Sequence, residues 1–295
     1  MTGIIPVYKE ENATSFKAVA TVRRITGEKK CGHAGTLDPM ATGVLPVALG
    51  KATRFIELLP DHTKSYRAVF KTGIITDTLD IWGNVLKETG KTASFDEISA
   101  VLPNFKGKIE QLPPMYSALK KDGVRLYELA RKGETVEREK RSCEIFSIEL
   151  FETGENEFSL DVTCSKGTYI RALINDIGEA LNTGAVMTAL VRTSACNIPL
   201  SVCKTTDELE KMKENGTLIN ALIPVESVMS EYPFVTVSPL QGKRFLNGGE
   251  LFKERFNTKN ITGLTRVYCD GKFLGMGELL PENDCMTVKR IYSEV

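Results

Sequence analysis

The stretch GHAGTLDPMATGVLPVALGKATRF, from Gly32 to Phe55, holds His33, one of only two histidines in the chain, and an Asp-Pro pair at Asp38. Gly32, Gly35 and Gly43 give a backbone that a ligand can approach closely, and Pro39 fixes the chain directly after the carboxylate. Two readings compete there. One is a carboxylate held ready for nucleophilic or acid–base work; the other is an Asx-type turn in which Asp38 bonds its own backbone. A Ser or Cys nucleophile needs a histidine base, and only His33 and His62 are on hand, which argues against such a triad. The seven cysteines (Cys31, Cys143, Cys164, Cys196, Cys203, Cys269 and Cys285) form no C-x-x-C pair and have almost no histidine beside them to complete a metal site. They read as reduced thiols used for packing. Carboxylates, arginines and tyrosines are left to carry any reaction.

Other patterns fail on inspection. ALGKAT resembles the end of a phosphate-binding loop, but Leu45 and Ala52 stand where that loop needs Gly and Ser or Thr. GKFLGMGEL, from Gly271, lacks the spacing and the following helix of a dinucleotide fingerprint. Asn12-Ala13-Thr14 fits a glycosylation acceptor, in the wrong compartment for it. Formal charge is zero, so any attraction to a polyanion must be local. Basic residues gather at Arg23, Arg24, Lys29 and Lys30, and again between Lys120 and Arg141. Such clusters are also ordinary solvated faces, so charge alone names no partner.

The elements that must position these residues are legible from periodicity. A length of 295 residues implies one large domain, or a large one plus a small one, with room for a sizeable core. TSFKAVATVRRITG predicts a helix capped by Thr14 or Ser15, with Phe16, Val19, Val22 and Ile25 at helical spacing and Gly27 as its stop. KSYRAVFKTGIIT alternates as a strand, Tyr66, Ala68 and Phe70 on one face and Arg67, Val69 and Lys71 on the other. SFDEISAVLPNFKG is a second capped helix, ended by Pro103 and Gly107. SCEIFSIELFETGENEFSLDVTCS reads as two strands joined at TGEN. KGTYIRALINDIGEALNTG puts Ile170, Leu173, Ile174, Ile177 and Leu181 on one helical face, closed by Asn182 and Gly184. The acidic helix DELEKMKENG and the loop to Pro224 lead to a boundary. From about Glu231 short strand-like runs separated by glycine turns, without a long helix, predict a small β-barrel. The whole is an α+β chain. No run approaches the ~18 apolar residues of a membrane span, and Met1–Lys9 lacks a signal-peptide pattern, so a cytoplasmic location is expected.

The Gly32–Phe55 stretch as a whole closely resembles the catalytic signature of the TruB family of tRNA pseudouridine synthases. Four further segments resemble the same family in the same order: KSYRAVFKTGIITDTLDIWG, QLPPMYSALKKDGVRLYELARKG, KGTYIRALINDIGEAL and ALVRT. The C-terminal run is similar to the RNA-binding PUA domain that the family carries, so the resemblance covers nearly the full chain. Two departures are visible. The family's Lys-Pro-x-Gly-x-Thr-Ser start reads KEENATS, with Glu10 and Asn12 in place of Pro and Gly, and the Gly-x-Phe after Arg-Thr is replaced around Cys196 to Ile198.

The resemblance implies a mixed central sheet with flanking helices over residues 1–230, the pseudouridine synthase fold, an RNA-gripping insertion at about 111–141, and a PUA-like β-barrel over 231–295. It implies that uracil is detached from ribose C1′, rotated and rejoined through C5, without cofactor or metal, at the T-loop uridine of tRNA named position 55. By their places in the matching segments, Asp38 is the nucleophile, Arg171 the cation paired with it, and Tyr66 an aromatic that stacks on the base and helps the C5 proton leave. Tyr169 and Leu190 line the base pocket, and His33 occupies or braces the space that the flipped base vacates. Asp80 and Arg54 organise the site and the RNA backbone, and Arg131, with the basic insertion, meets phosphates. The expected partner is the T-stem-loop of tRNA, with no membrane and no obligatory protein partner, and the expected state is a monomer. A guide-RNA-dependent synthase of ribonucleoprotein particles shares the core signature but is disfavoured by the lack of long basic tails. A tRNA-folding chaperone is the alternative outside catalysis.

Overall fold

The computed structural model describes residues 1–60, 63–256, 261–282 and 284–292, so His62 lies outside the described residues. A mixed sheet forms the centre. Its strands run in the order Gly3–Lys9, Thr42–Leu49, Ala185–Ala195, Thr63–Thr72, Glu157–Ser165, Arg141–Gly154 and Gly107–Gln111, with Cys31–His33 and Ile198–Pro199 attached at the side. Neighbours along this path pair antiparallel except Ala185–Ala195 with Thr42–Leu49, which lie parallel with Arg192 beside Gly43. That crossover brings a late strand next to the stretch that carries Asp38.

The expected alternation holds on Thr63–Thr72: Tyr66, Ala68 and Phe70 are buried and Arg67 is exposed. The buried row packs with Phe158, Leu160 and Val162 under Leu173, Ile174 and Ile177 of the helix Ile170–Ala180. Helix Phe95–Val101 adds Ile98 to this core, with Ser94 and Glu97 forming its capping box and a 3₁₀ turn at Leu102–Phe105 ending it. On the other face, helix Ser15–Thr26 covers Ile5, Val7, Leu45 and Val47. Thr14 caps that helix, and Gly27, at φ 70, ends it.

One expected core residue of this helix is not in the core: Phe16 is 79% exposed. The buried set is Ser15, Ala18, Val19, Val22 and Ile25. A repeat of three falls short of the 3.6-residue turn, so Phe16, nine residues before Ile25, points to the opposite side.

Helix Thr206–Glu214 leads toward the C-terminal module, a five-stranded half-barrel ordered Phe234–Thr236, Gly263–Cys269, Lys272–Leu279, Cys285–Ile291 and Leu251–Phe252. A two-turn helix, Pro239–Leu246, capped by Ser238, packs Phe245 into its core and adds to the strands expected there. Phe55 of the 3₁₀ segment Gly50–Leu58 meets Phe273 and Tyr292, so this module shares a hydrophobic cluster with the main sheet. Among the described residues no helix is long and apolar enough to cross a membrane.

Candidate active site

Asp38 sits in the loop between Cys31–His33 and Thr42–Leu49. The turn at Asp-Pro is made by backbone atoms and not by the side chain, so the carboxylate is left for chemistry. The backbone forms a tight turn, Ala41 donating to the Asp38 carbonyl at 3.1 Å, while the carboxylate points away to Arg171. Three buried side chains hold this loop from outside it. Arg192, fully buried, donates from Nε to the Val44 carbonyl at 2.8 Å, from Nη2 to Gly35 at 3.0 Å and from Nη1 to Thr36 at 3.4 Å. The Ser15 hydroxyl donates to the Leu37 carbonyl and accepts from the Leu37 amide, at 3.1 and 2.9 Å. Lys9 Nζ reaches the carbonyls of Ala13, Glu10 and Pro39 at 2.6, 2.9 and 3.2 Å. Burial pushes the Lys9 ammonium down to about 8. Asn12, where the family start has Gly, takes the left-handed φ of 61 that Asn tolerates better than most residues.

Arg171 is the second residue of its helix and is 4% exposed. Its Nη2 meets Asp38 Oδ2 at 2.8 Å and the Tyr116 carbonyl at 2.9 Å; its Nη1 meets the Thr78 carbonyl at 2.8 Å and Asp80 Oδ2 at 3.4 Å. A cation at a helix N-terminus opposes the helix dipole, and here two carboxylates offset that cost. Asp80, itself buried, also accepts from the Thr78 hydroxyl at 2.8 Å and the Trp82 amide at 3.1 Å. Burial raises its carboxyl above the usual range, opposed by the Thr78 bond and by Arg171.

Asp38 and Arg171 open onto a cavity of about 200 Å³ whose lining includes Lys64, Tyr66, Ser117, Tyr169 and Leu190. Tyr66 and Leu190 come from adjacent strands, with Ala68 opposite Leu190 and Arg192 opposite Tyr66. The Tyr169 backbone is clipped by the buried Gln111 amide, which accepts from its N–H at 2.9 Å and donates to its carbonyl at 3.2 Å. Burial, with the Asp38 charge adding to it, raises the Tyr169 phenol. The result is an anion beside an aromatic and apolar slot, with a fixed guanidinium behind it. Such a site can attack or stabilise an electron-poor sugar carbon while a flat ring lies on the walls.

Of the nine residues singled out in the sequence, Asp38, Tyr66, Tyr169, Arg171 and Leu190 line this one cavity, and Asp80 backs Arg171. The other three lie outside the lining. His33 pairs with Val47, and burial lowers its imidazole. Arg54 is exposed, and its carbonyl accepts from Arg290 of the C-terminal module at 3.1 Å. Arg131 is exposed beyond the short helix Leu126–Ala130, 5.4 Å from the Tyr127 ring centroid. Sequence reasoning missed Lys9, Ser15, Lys64, Gln111, Ser117 and Arg192. One signal was available: Arg192 stands two residues after the inward Leu190, where strand periodicity calls for an apolar side chain.

Comparisons with known proteins agree along the whole length. Residues 23–170 match the family model described as TruB family pseudouridylate synthase (N terminal domain). Residues 171–230 match the tRNA pseudouridylate synthase B C-terminal domain, and 233–288 match Pseudouridine synthase II TruB, C-terminal. The tRNA pseudouridine synthase B of Clostridium perfringens (strain SM101 / Type A) is 46% identical over 283 residues, covering 94% of this chain and 95% of that protein. The protein of the same name from Azoarcus sp. (strain BH72) is 42% identical over 277 residues, covering 94% and 90%. Among solved structures, a chain of a Cbf5-Nop10-Gar1 complex superposes with a TM-score of 0.79 at 26% identity, covering 99% of this chain and 85% of that one.

Proposed function

Because the chain belongs to the TruB family of pseudouridine synthases, we propose that it isomerises uridine to pseudouridine at position 55 in the T-loop of tRNA. The observation that carries this reading is the Asp38–Arg171 pair at 2.8 Å on a cavity walled by Tyr66, Tyr169 and Leu190. A T-loop uridine flips out of its stack, at a cost of a few kcal/mol, and enters with its ribose against Asp38. The Asp38 carboxylate then attacks C1′, or removes a proton from C2′, as the bond from C1′ to N1 breaks. The freed uracil turns over between Tyr66 and Leu190, and C5 bonds to C1′. Asp38 departs or returns its proton, the C5 proton leaves with help from Tyr66, and N1 takes up a proton, so the product is an isomer of the substrate.

Arg171 holds the Asp38 carboxylate in place when the substrate shuts out water, through a charge-assisted hydrogen bond from its planar fork. Phosphate contacts come from the insertion at about 111–141, including Arg131, and from the C-terminal module over 231–295. His33 braces the space left in the loop, and Arg54 contacts RNA backbone. The same reading gives a cytoplasmic monomer that needs no protein partner.

The test is purified protein with a T-stem-loop transcript alone. Conversion without guide RNA or partner proteins separates this function from a guide-dependent synthase. Asp38→Asn and Asp38→Ala should abolish product while RNA binding stays measurable, and substantial turnover by either variant rejects the nucleophile assignment. A tRNA-refolding assay with the same variants covers the chaperone alternative: folding assistance that persists without catalysis would favour it as an independent role.

A further inference from the structure

The loop that offers Asp80 to Arg171 also carries the only tryptophan in the chain, Trp82. This loop is heavily bonded. Asn84 donates from its backbone and side-chain nitrogens to the Asp77 carboxylate at 2.8 and 3.0 Å. The Thr76 hydroxyl donates to the Asp80 carbonyl at 2.8 Å, the Gly83 amide to the same carbonyl at 3.1 Å, and the Ile81 amide to Met187 of a central strand at 2.9 Å. Leu79 is held at φ 66, a left-handed conformation that a leucine adopts only when its surroundings impose it. None of these bonds uses the indole. Trp82 is 49% exposed, and Ile81 beside it is 42% exposed.

A large aromatic left half in water on a rigid loop is a surface prepared for a flat apolar partner: it already has its conformation and loses little entropy when covered. Its position relative to the chemistry is fixed. The Trp82 amide and Arg171 share the Asp80 carboxylate, and Arg171 holds Asp38. Turning one nucleotide out of a stack also strips its neighbours of a stacking face.

We propose that Trp82 is a stacking platform for a nucleobase of the substrate RNA next to the flipped uridine, and so a residue that sets substrate affinity without touching the reacting atoms. This rests on the reading of the site as an RNA-modifying one. A nucleobase is favoured over a protein partner because the Trp82 backbone is anchored on Asp80, which pairs with Arg171, so the exposed indole stands on the same loop that supports the active site.

With a single tryptophan, indole emission excited at wavelengths where the eight tyrosines do not absorb reads this position alone. Titrating the full chain with a T-stem-loop transcript should give a saturable change in emission, complete at one RNA per protein. Trp82→Ala should raise KM and Kd by about 5-fold or more, the equivalent of about 1 kcal/mol of stacking, with kcat nearly unchanged. Trp82→Phe should recover most of that loss. Unchanged emission at RNA concentrations that the wild type converts would overturn the proposal, as would normal KM and Kd in Trp82→Ala. A Trp82→Ala variant that alters only the sedimentation of the free protein would assign the patch, with Val85 and Leu86, to contact between chains and overturn it as well. The two readings fail separately: RNA that is bound with a change in emission but never converted defeats the proposed function and leaves the platform standing.

Discussion

Replacing Arg171 by methionine keeps most of the apolar stem of the side chain and removes the guanidinium with every donor. Asp38 then loses its partner at 2.8 Å, Asp80 its partner at 3.4 Å, and the carbonyls of Thr78 and Tyr116 lose charged donors at 2.8 and 2.9 Å. Removing one member of a buried ion pair costs about 3–5 kcal/mol, much of it from the charge left behind. The Asp38 side chain is 40% exposed, so water takes over part of its loss, and the lower end, about 3 kcal/mol, is expected. In a chain of this size that lowers Tm by roughly 6 °C.

The catalytic loss follows from geometry. With nothing to fix its carboxylate, Asp38 drifts on the scale of 1 Å, which costs about 100-fold, or about 2.7 kcal/mol in the barrier. The assay is single-turnover pseudouridine formation on a T-stem-loop transcript with enzyme in excess, alongside RNA retention and thermal melting. Arg171→Met should react about 100-fold slower or worse while still retaining RNA. Arg171→Lys should fall between, since a compact ammonium cannot reach all the acceptors that the planar fork does. A single-turnover rate for Arg171→Met within ~3-fold of wild type, under ~0.7 kcal/mol in the barrier, would refute the pairing argument.

Three further outcomes are expected. Burial, reinforced by Glu179, pushes the Asp176 carboxyl up from 3.8 to about 6. The folded state therefore holds this proton more tightly than the unfolded chain does, and the stability from it is lost as pH rises through about 6. Asp176→Asn should match wild type near pH ~4 and exceed it by about 1 kcal/mol at pH ~7.5, after allowance for partial exposure; equal urea midpoints at both pH values would reject this. Gly43 sits at φ 101 with its missing Cβ position against the Arg192 backbone carbonyl, so Gly43→Ala should cost at least ~3 kcal/mol in urea unfolding, and a wild-type melting curve would sink the packing account. Arg131→Ala should reduce the slope of log affinity against log salt by about 0.7–0.9, one phosphate contact, and an unchanged slope would remove Arg131 from the RNA interface.

Short-range patterns determined much of this protein from the sequence alone. Thr14 and Gly27 bound a helix, Tyr66, Ala68 and Phe70 share a buried face, and Asn182 and Gly184 close the helix that starts beside Arg171, because caps and alternation act within a few residues. Phe16 went to the wrong side because a three-residue repeat drifts around the helix, and Pro239–Leu246 escaped notice because two turns carry too little periodicity. The Gly32–Phe55 stretch and its companion segments were specific enough to name the family and to single out Asp38 and Arg171. Only the tertiary structure decided how these are held. Lys9, Gln111 and Arg192 bond to backbone atoms of distant segments, and a carbonyl or amide has no side-chain signature by which sequence could announce the partner. The meeting of Asp38, Asp80 and Arg171 belongs to the same class: the parallel crossover and helix packing bring three remote charges within 4 Å contacts, and no local pattern encodes that distance.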